Sequence, residues 1–165
     1  MASVTDGAIG IDLNTVGSTR AYGLGETHAG NEGSTWLYVV AGSALTLGAL
    51  TKIQDGFVAS AQVAAQASAD CRLGFAQTAF AASQYGFIAL SGHNLLVRHA
   101  VHVGSPGQPM YTSDTAGAMS TATVTASQLQ VMGVWITGTN SATTLGTVTA
   151  AVSFPHLRRP KAASD

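Results

Sequence analysis

The chain has 165 residues with a net charge of −1, and 46% of its residues are apolar while only 9% are charged. This length favours one domain with an appended segment, because domains most often hold about 100–150 residues. The balanced charge lacks the basic footprint that nucleic-acid binding requires, and the single cysteine, Cys71, excludes an internal disulfide.

The low charge also predicts the kind of surface that the protein presents. Ordinary soluble domains carry about 25% charged residues, whereas this chain carries 9%. Copies of the chain therefore have little electrostatic repulsion to keep them apart. We therefore expect a protein that works inside an assembly, with a monomer coated by Ser and Thr as the alternative. Residues 1–7 lack the basic patch and apolar run of a signal peptide, and no stretch reaches about 18 uninterrupted apolar residues. We expect a protein that is made in the cytoplasm and has no membrane partner.

Residues 1–33 predict an extended N-terminal arm. Seven glycines interrupt this stretch, short apolar pairs such as Ile9 and Ile11 lie between them, and no helical period is visible. A β domain follows over residues 34–154. Residues 155–165 form a tail that carries three of the seven basic side chains.

The β domain is predicted from short runs rich in β-branched and aromatic residues, with turn residues between them at intervals of about 8–12 residues. The predicted strands cover residues 36–40, 45–53, 57–58, 72–76, 85–90, 95–103, 110–112, 129–136 and 146–154. Asp55 and Gly56 supply the positive φ of a tight hairpin. Residues 61–70 are the only plausible helix, with a loop as the alternative. The sequence thus predicts an all-β fold, a compact antiparallel β-barrel or sandwich with an extended arm and at most one short helix.

The last predicted strand has a clear period of two. Val148, Val152 and Phe154 alternate with mostly polar residues, so they are expected to share one buried face, and Pro155 is expected to end the strand.

Two parts of the β domain share a similar spacing of glycines, which is a weak internal repeat. Gly74 lies between two apolar residues and is followed twelve residues later by Gly86, while Gly133 lies in the same setting and is followed thirteen residues later by Gly146. A repeated hairpin, in which the glycines lie at bulges or at close backbone approaches, explains this similar spacing. Chance matching in a Gly-rich and Ala-rich chain is the alternative.

The sequence offers no set of converging polar groups of the kind that an enzyme needs. Seven of the eight acidic residues fall in the arm, in predicted turns or loops, or in the tail. His99 and His102 are three residues apart on a strand, which puts them on opposite faces, whereas two ligands of one metal share a face. We expect a packed core histidine at position 99 with one hydrogen-bond partner, a buried thiol at Cys71, and no metal or cofactor.

Trp36, Tyr38 and Trp135 lie at strand spacing, which is more typical of core residues than of a binding patch. A carbohydrate-binding or host-adhesion module requires an exposed aromatic platform. The accessibility of the two tryptophans therefore decides between these interpretations.

Residues 36–154 also follow a pattern of short glycine-based motifs. The motifs are Gly74-Phe75-Ala76, Tyr85-Gly86-Phe87-Ile88-Ala89-Leu90-Ser91-Gly92, Gly107-Gln108-Pro109-Met110-Tyr111, Ala116-Gly117-Ala118, Met132-Gly133-Val134 and a closing strand at 148–152. This series resembles the small capsid cement or decoration proteins of tailed bacteriophages. Met110 departs from that pattern, which usually has Leu at this point, and the arm lies outside it.

The resemblance implies a compact β-barrel-like domain that binds the outside of an assembled capsid in many copies, with no reaction and no cofactor. Its implied partners are the major capsid protein and copies of itself, with a trimer favoured and a dimer possible, and its implied location is the virion exterior. The arm and the tail are the expected contact surfaces, through Ile9, Ile11, Leu13, Arg20, Tyr22, Arg158, Arg159 and Lys161. The alternatives are a carbohydrate-binding or adhesion module, a tail or neck protein of a phage particle, and a small enzyme.

Overall fold

The computed structural model describes residues 11–66, 71–100, 106–121, 128–138 and 145–159. Within these ranges the protein consists of ten β-strands and three single 3-10 turns. The strands are β1 Thr27–Ala29, β2 Thr35–Ala41, β3 Leu50–Gln54, β4 Val58–Ala61, β5 Arg72–Ala76, β6 Tyr85–His99, β7 Met110–Thr112, β8 Met119–Ser120, β9 Gln130–Ile136 and β10 Gly146–Arg158. The turns are Asn31–Gly33, Asp55–Phe57 and Ala64–Gln66. The predicted all-β class is confirmed.

Five strands close into a barrel in the first half of the chain. β2 pairs with β4, β4 with β3, β3 with β5 and β5 with β6, and the pairing of β6 with β2 returns to the first strand. Only the pair of β2 with β4 is parallel. The predicted hairpin forms one corner, because Gln54 pairs with Val58 and Gly56 between them has a φ of 73°.

The remaining strands repeat this order. β6 pairs with β10, β10 with β9, β9 with β7 and β7 with β8, and one parallel pair, His99 with Met119, joins β8 back to β6. In both rings the first strand in chain order is parallel to the third, and all other pairs are antiparallel. Gly74 and Gly133 lie in the equivalent strands β5 and β9. This shared strand order favours a structural repeat over chance as the origin of the similar glycine spacing.

The long strand β6 is the wall that both rings share. Its first half pairs with β2 and its second half pairs with β10, and Ser91 pairs with both neighbours. The predicted strands 85–90 and 95–103 are therefore one strand as far as His99, while residues 101–105 lie outside the described ranges. The chain continues through the predicted break because Gly92, with a φ of 151°, and Asn94, with a φ of 55°, form a bulge.

Two clusters of buried side chains hold the rings together. The smaller cluster comes from the first ring and its loops: Leu37, Val39, Ala41, Leu45, Ala49, Ile53, Ala59, Ala76, Phe80, Ile88 and Leu90. The larger cluster joins Trp36 and Phe75 of the first ring to Val148 of the second. The larger cluster therefore packs the first ring against the second, while the smaller one belongs to the first ring alone.

The described part of the predicted arm, residues 11–33, runs along the barrel. Leu13 is 1% exposed and belongs to the larger cluster, β1 pairs with β2, and Gly17 bridges to Tyr85. The segment is extended, as the glycine-rich sequence predicts, but its larger apolar side chains are buried or partly buried against the rest of the domain. Residue 33 is consequently no boundary between separately packed units.

One further prediction needs correction, and some short strands were not predicted. The segment predicted as a helix over residues 61–70 begins at the end of β4 and then makes only the turn Ala64–Gln66, while residues 67–70 lie outside the described ranges. β1, with three residues, and β8, with two, are absent from the predicted strands because strands this short show no clear alternation.

Candidate functional site

β10 continues past Pro155, contrary to the prediction that this proline ends the last strand. Its pairing with β9 breaks after Val152 and resumes over residues 156–158. Pro155 therefore lies in a bulge, where its missing N–H breaks no ladder hydrogen bond. The predicted boundary between the β domain and the tail falls inside a strand.

The bulge turns Phe154 outward. Its φ is 41°, a left-handed conformation that costs a non-glycine residue about 1–3 kcal/mol. Its side chain is 56% exposed, although alternation from Val152 predicts a buried one. On the neighbouring strand, Gly133 has a φ of 76°, and a Cβ there would lie 2.4 Å from the carbonyl oxygen of Ser153. The backbone of β9 thus lies directly against the bulge and fixes its position.

Phe154 and Trp135 line an open groove of about 330 Å³, which we call the aromatic groove. Its other lining residues are Glu32, Gly33, Ser91, Gly92, His93, Ala151, Val152 and Ser153. Trp135 is 55% exposed, whereas Trp36 is 1% and Tyr38 2% exposed. The prediction that these three aromatic residues belong to the core is therefore confirmed for Trp36 and Tyr38 and is wrong for Trp135.

Backbone segments with positive φ angles form much of the groove. Glu32, with a φ of 55°, and Gly33, with a φ of 73°, belong to the turn before β2, and Gly92 belongs to the bulge of β6. Glu32 and Phe154 are two of the five described non-glycine residues with positive φ. Strain of this kind persists only where the surrounding structure enforces it, and it concentrates at binding sites.

Four polar side chains line the groove beside the aromatic rings: Glu32, Ser91, His93 and Ser153. Ser91 is 8% exposed, and the other three are exposed. In the part of the chain that the structure describes, none of the four side chains makes a hydrogen bond or an ion pair. A carboxylate, an imidazole and two hydroxyls are consequently available to a ligand.

The contact residues predicted in the arm mostly face the barrel. Leu13 is buried in the core and has no surface to offer a partner, which contradicts its predicted role. Ile11 and Tyr22 are partly buried and pack against the larger cluster. Arg20 is exposed, and its Nε donates a hydrogen bond of 2.9 Å to the carbonyl oxygen of Tyr22. Ile9 lies outside the described residues.

Tyr22 explains how this segment is attached. The centroid of its ring lies 5.2 Å from that of Tyr38, 5.4 Å from that of Phe87 and 5.6 Å from that of His28. Aromatic rings at such separations pack favourably in edge-to-face geometries. The Tyr22 ring therefore attaches the N-terminal segment to the barrel by packing against the rings of Tyr38 and Phe87.

The predicted contact residues of the tail are more accessible. Arg158 is the last residue of β10, and both Arg158 and Arg159 are exposed. Lys161 lies outside the described residues. The two arginines remain candidates for an intermolecular contact.

His99 is 0% exposed, and its Nδ1 lies 2.8 Å from the carbonyl oxygen of Ala100. The prediction of a packed core histidine with a hydrogen-bond partner is confirmed, while His102 lies outside the described residues. Cys71 is only partly buried and packs against the larger cluster. Among the described residues, no three His, Cys, Asp or Glu side chains come together in a way that suits a metal ion.

Comparison of the chain with protein-family models, with curated proteins and with solved structures gave no significant match. Across the described ranges, no helix has the length and apolar character needed to cross a membrane.

Proposed function

We propose that the chain is a non-enzymatic structural protein that binds the outer surface of an assembled bacteriophage capsid in many copies and stabilises it. Its partners are the major capsid protein and other copies of the chain, in a trimer by preference. The motif pattern over residues 36–154 supports this assignment, together with a surface that has few charges.

The observation that carries the proposal is an exposed apolar patch at the far end of the pairing between β6 and β10. Leu47 is 40% exposed and Leu145 is 44% exposed. The backbone segments that carry them approach each other, because a Cβ on Gly48, next to Leu47, would be 3.2 Å from the methyl group of Thr147, two residues after Leu145. Apolar side chains displayed on a weakly charged surface favour attachment to another protein.

This leucine patch is separate from the aromatic groove. Gly146, beside Leu145, pairs with His99, whereas Ser153, in the groove, pairs with Ser91. The seven residue-to-residue steps from 146 to 153 span about 23 Å at about 3.3 Å per step. One protein can therefore bind a shell through the leucines and leave the groove accessible.

Stabilisation of the capsid follows from mass action. A protein that binds the assembled lattice and not the free subunits shifts the equilibrium toward the lattice by about 2.7 kcal/mol per site at a free concentration of about 100 Kd. The effect requires no chemical step. It grows with the number of occupied sites.

Reconstitution on capsids tests the proposal. Purified protein is added to capsids that lack it, and electron cryomicroscopy measures the occupancy of symmetry-related sites on the shell. We expect occupancy at many equivalent external positions and a higher disruption temperature of the particle. Folded protein that leaves the capsid bare would reject the proposal.

Two pairs of substitutions locate the contact. The double variant Leu47→Ser with Leu145→Ser is expected to reduce occupancy at least about tenfold, because polar groups replace the apolar contact. The matched control is Phe154→Ser, which alters an even more exposed apolar side chain in the groove and should leave occupancy unchanged. Reduced occupancy on removal of Arg158 and Arg159 would add the tail to the contact.

A tail or neck protein of a phage particle is the nearest alternative, and it differs in the assembly that it joins. The same labelled protein, mixed with intact particles and imaged, distinguishes the two by where it binds. Binding at the neck or tail alone would replace the capsid assignment.

A further inference from the structure

We propose that the aromatic groove is a carbohydrate-binding site that accepts the end of a neutral glycan. This inference does not depend on capsid attachment, because the groove lies apart from the leucine patch.

The aromatic rings supply the surface on which a sugar ring stacks. Trp135 and Phe154 are the two most exposed of the large hydrophobic side chains that the structure describes, at 55% and 56%, and both line the same groove. Most large aromatic side chains are buried or half-buried in folded proteins. Two exposed rings on a single groove therefore indicate a ligand with an apolar face.

The polar groups supply what a sugar needs around its edge. Glu32 presents a carboxylate that accepts hydrogen bonds, His93 presents an imidazole that donates or accepts, and Ser91 and Ser153 present hydroxyls that do both. A protein-docking surface of this size is usually apolar at its centre and polar only at its rim. The mixture of rings with acceptors and donors fits a polyhydroxylated ring better.

The size of the groove limits the ligand. A volume of about 330 Å³ is at the lower end of the range of about 300–1,000 Å³ for small-molecule sites. The groove is open, so about one or two sugar units fit while the rest of a chain projects into solvent. The terminal unit of a surface glycan is a ligand of this kind.

The backbone holds the groove in shape before a ligand arrives. Phe154 keeps its strained conformation because Gly133 and the carbonyl of Ser153 are in close approach, and Glu32 sits in a similarly strained turn. A site that is ordered in advance loses less entropy on binding. The strain that the fold imposes here is therefore consistent with a binding site formed in advance.

The charge selects among glycans. Glu32 is the only acidic residue among those that line the groove, so its carboxylate repels a sialylated or phosphorylated sugar. Neutral hexoses and N-acetylhexosamines are expected to bind better. Removal of this charge by Glu32→Gln should abolish the discrimination.

Tryptophan fluorescence provides a direct test. The chain has two tryptophans, and Trp36 is buried while Trp135 is exposed, so a change in emission on titration reports on the groove. The probes are maltotriose, chitotriose and 3′-sialyllactose. We expect a saturable change with at least one neutral trisaccharide and a weaker response to the sialylated one.

Variants then assign the binding to the rings. Calorimetric titration, which does not need the Trp135 signal, is expected to show that Trp135→Ala and Phe154→Ala each weaken the affinity about tenfold or more. The matched control, Leu145→Ala, removes an exposed apolar side chain outside the groove and should leave the affinity unchanged. Far-ultraviolet circular dichroism and urea midpoints verify that each variant is folded.

Two results would overturn the proposal. One is the absence of calorimetric binding when each of the three probes is added up to about 10 mM, which means a Kd above about 10 mM for all of them. The other is undiminished glycan affinity in Trp135→Ala. If Trp135→Ala lowers capsid occupancy and no probe binds, the groove is a protein contact and not a glycan site.

Discussion

Gly133 and Gly56 have nearly the same backbone conformation in different surroundings, with φ angles of 76° and 73°. A Cβ on Gly133 would lie 2.4 Å from the carbonyl oxygen of Ser153, whereas a Cβ on Gly56 would meet no atom within 4 Å. Replacing each glycine by alanine therefore separates the effect of backbone conformation from the effect of close approach.

The magnitudes follow from these contacts. Alanine in the left-handed region costs about 1–2 kcal/mol, and this is offset by about 0.4–1 kcal/mol because alanine restricts the unfolded chain. Gly56→Ala should lower the free energy of unfolding by about 1 kcal/mol. Gly133→Ala must also displace the bulge of β10, which adds about 1–3 kcal/mol. We expect a total loss of about 2–4 kcal/mol for Gly133→Ala.

Urea denaturation followed by circular dichroism measures both variants. With a slope of about 2 kcal/mol per molar urea, the midpoint should fall by about 1–2 M for Gly133→Ala and by about 0.5 M for Gly56→Ala. The slope itself should not change. Equal midpoint shifts in the two variants would refute the conclusion that β9 presses against the bulge and holds Phe154 outward.

Three further outcomes test the packing of the barrel. Leu13→Ala should lower the free energy of unfolding by about 2–5 kcal/mol, because it leaves a cavity in the core, while the surface control Arg20→Ala should change it by about 0.5 kcal/mol or less; a neutral Leu13→Ala would return this side chain to the predicted contact surface. Gln77→Ala should cost about 2 kcal/mol in the same urea assay, because this side chain bonds both the N–H and the carbonyl of Leu96 at 2.9 Å; an unchanged midpoint would show that water replaces both bonds. Deletion of residues 1–33 should lower the thermal midpoint of the barrel, since it removes β1 and Leu13; an unaltered midpoint would support an independent arm.

Local chemistry in the sequence predicted much of the fold. β2 was predicted from its aromatic and β-branched run, and the corner between β3 and β4 was predicted from the conformational freedom that glycine gives at position 56. Burial of His99 followed from its apolar neighbours at period two. These features depend on residues close together in the chain, so the sequence alone contains the necessary information.

The groove was not predictable in the same way. Alternation assigns Phe154 to the buried face of β10 only if the strand keeps a strict period of two, and the bulge after Val152 resets that period. The bulge depends on Gly133, which is distant in sequence and becomes a neighbour only when β9 and β10 pair. Pro155 was a usable signal, because bulges are among the few places where a sheet accommodates proline.

The sharing of β6 by both rings determines how the protein unfolds. Neither ring can open at this strand without removing a wall of the other, and the larger cluster of buried side chains crosses between them. The two halves of the repeat should therefore behave as one cooperative unit, in which the amides of β6 exchange with solvent only when the whole domain unfolds. A repeat built in this way cannot be cut into two stable copies, in contrast to domains that are joined by a linker.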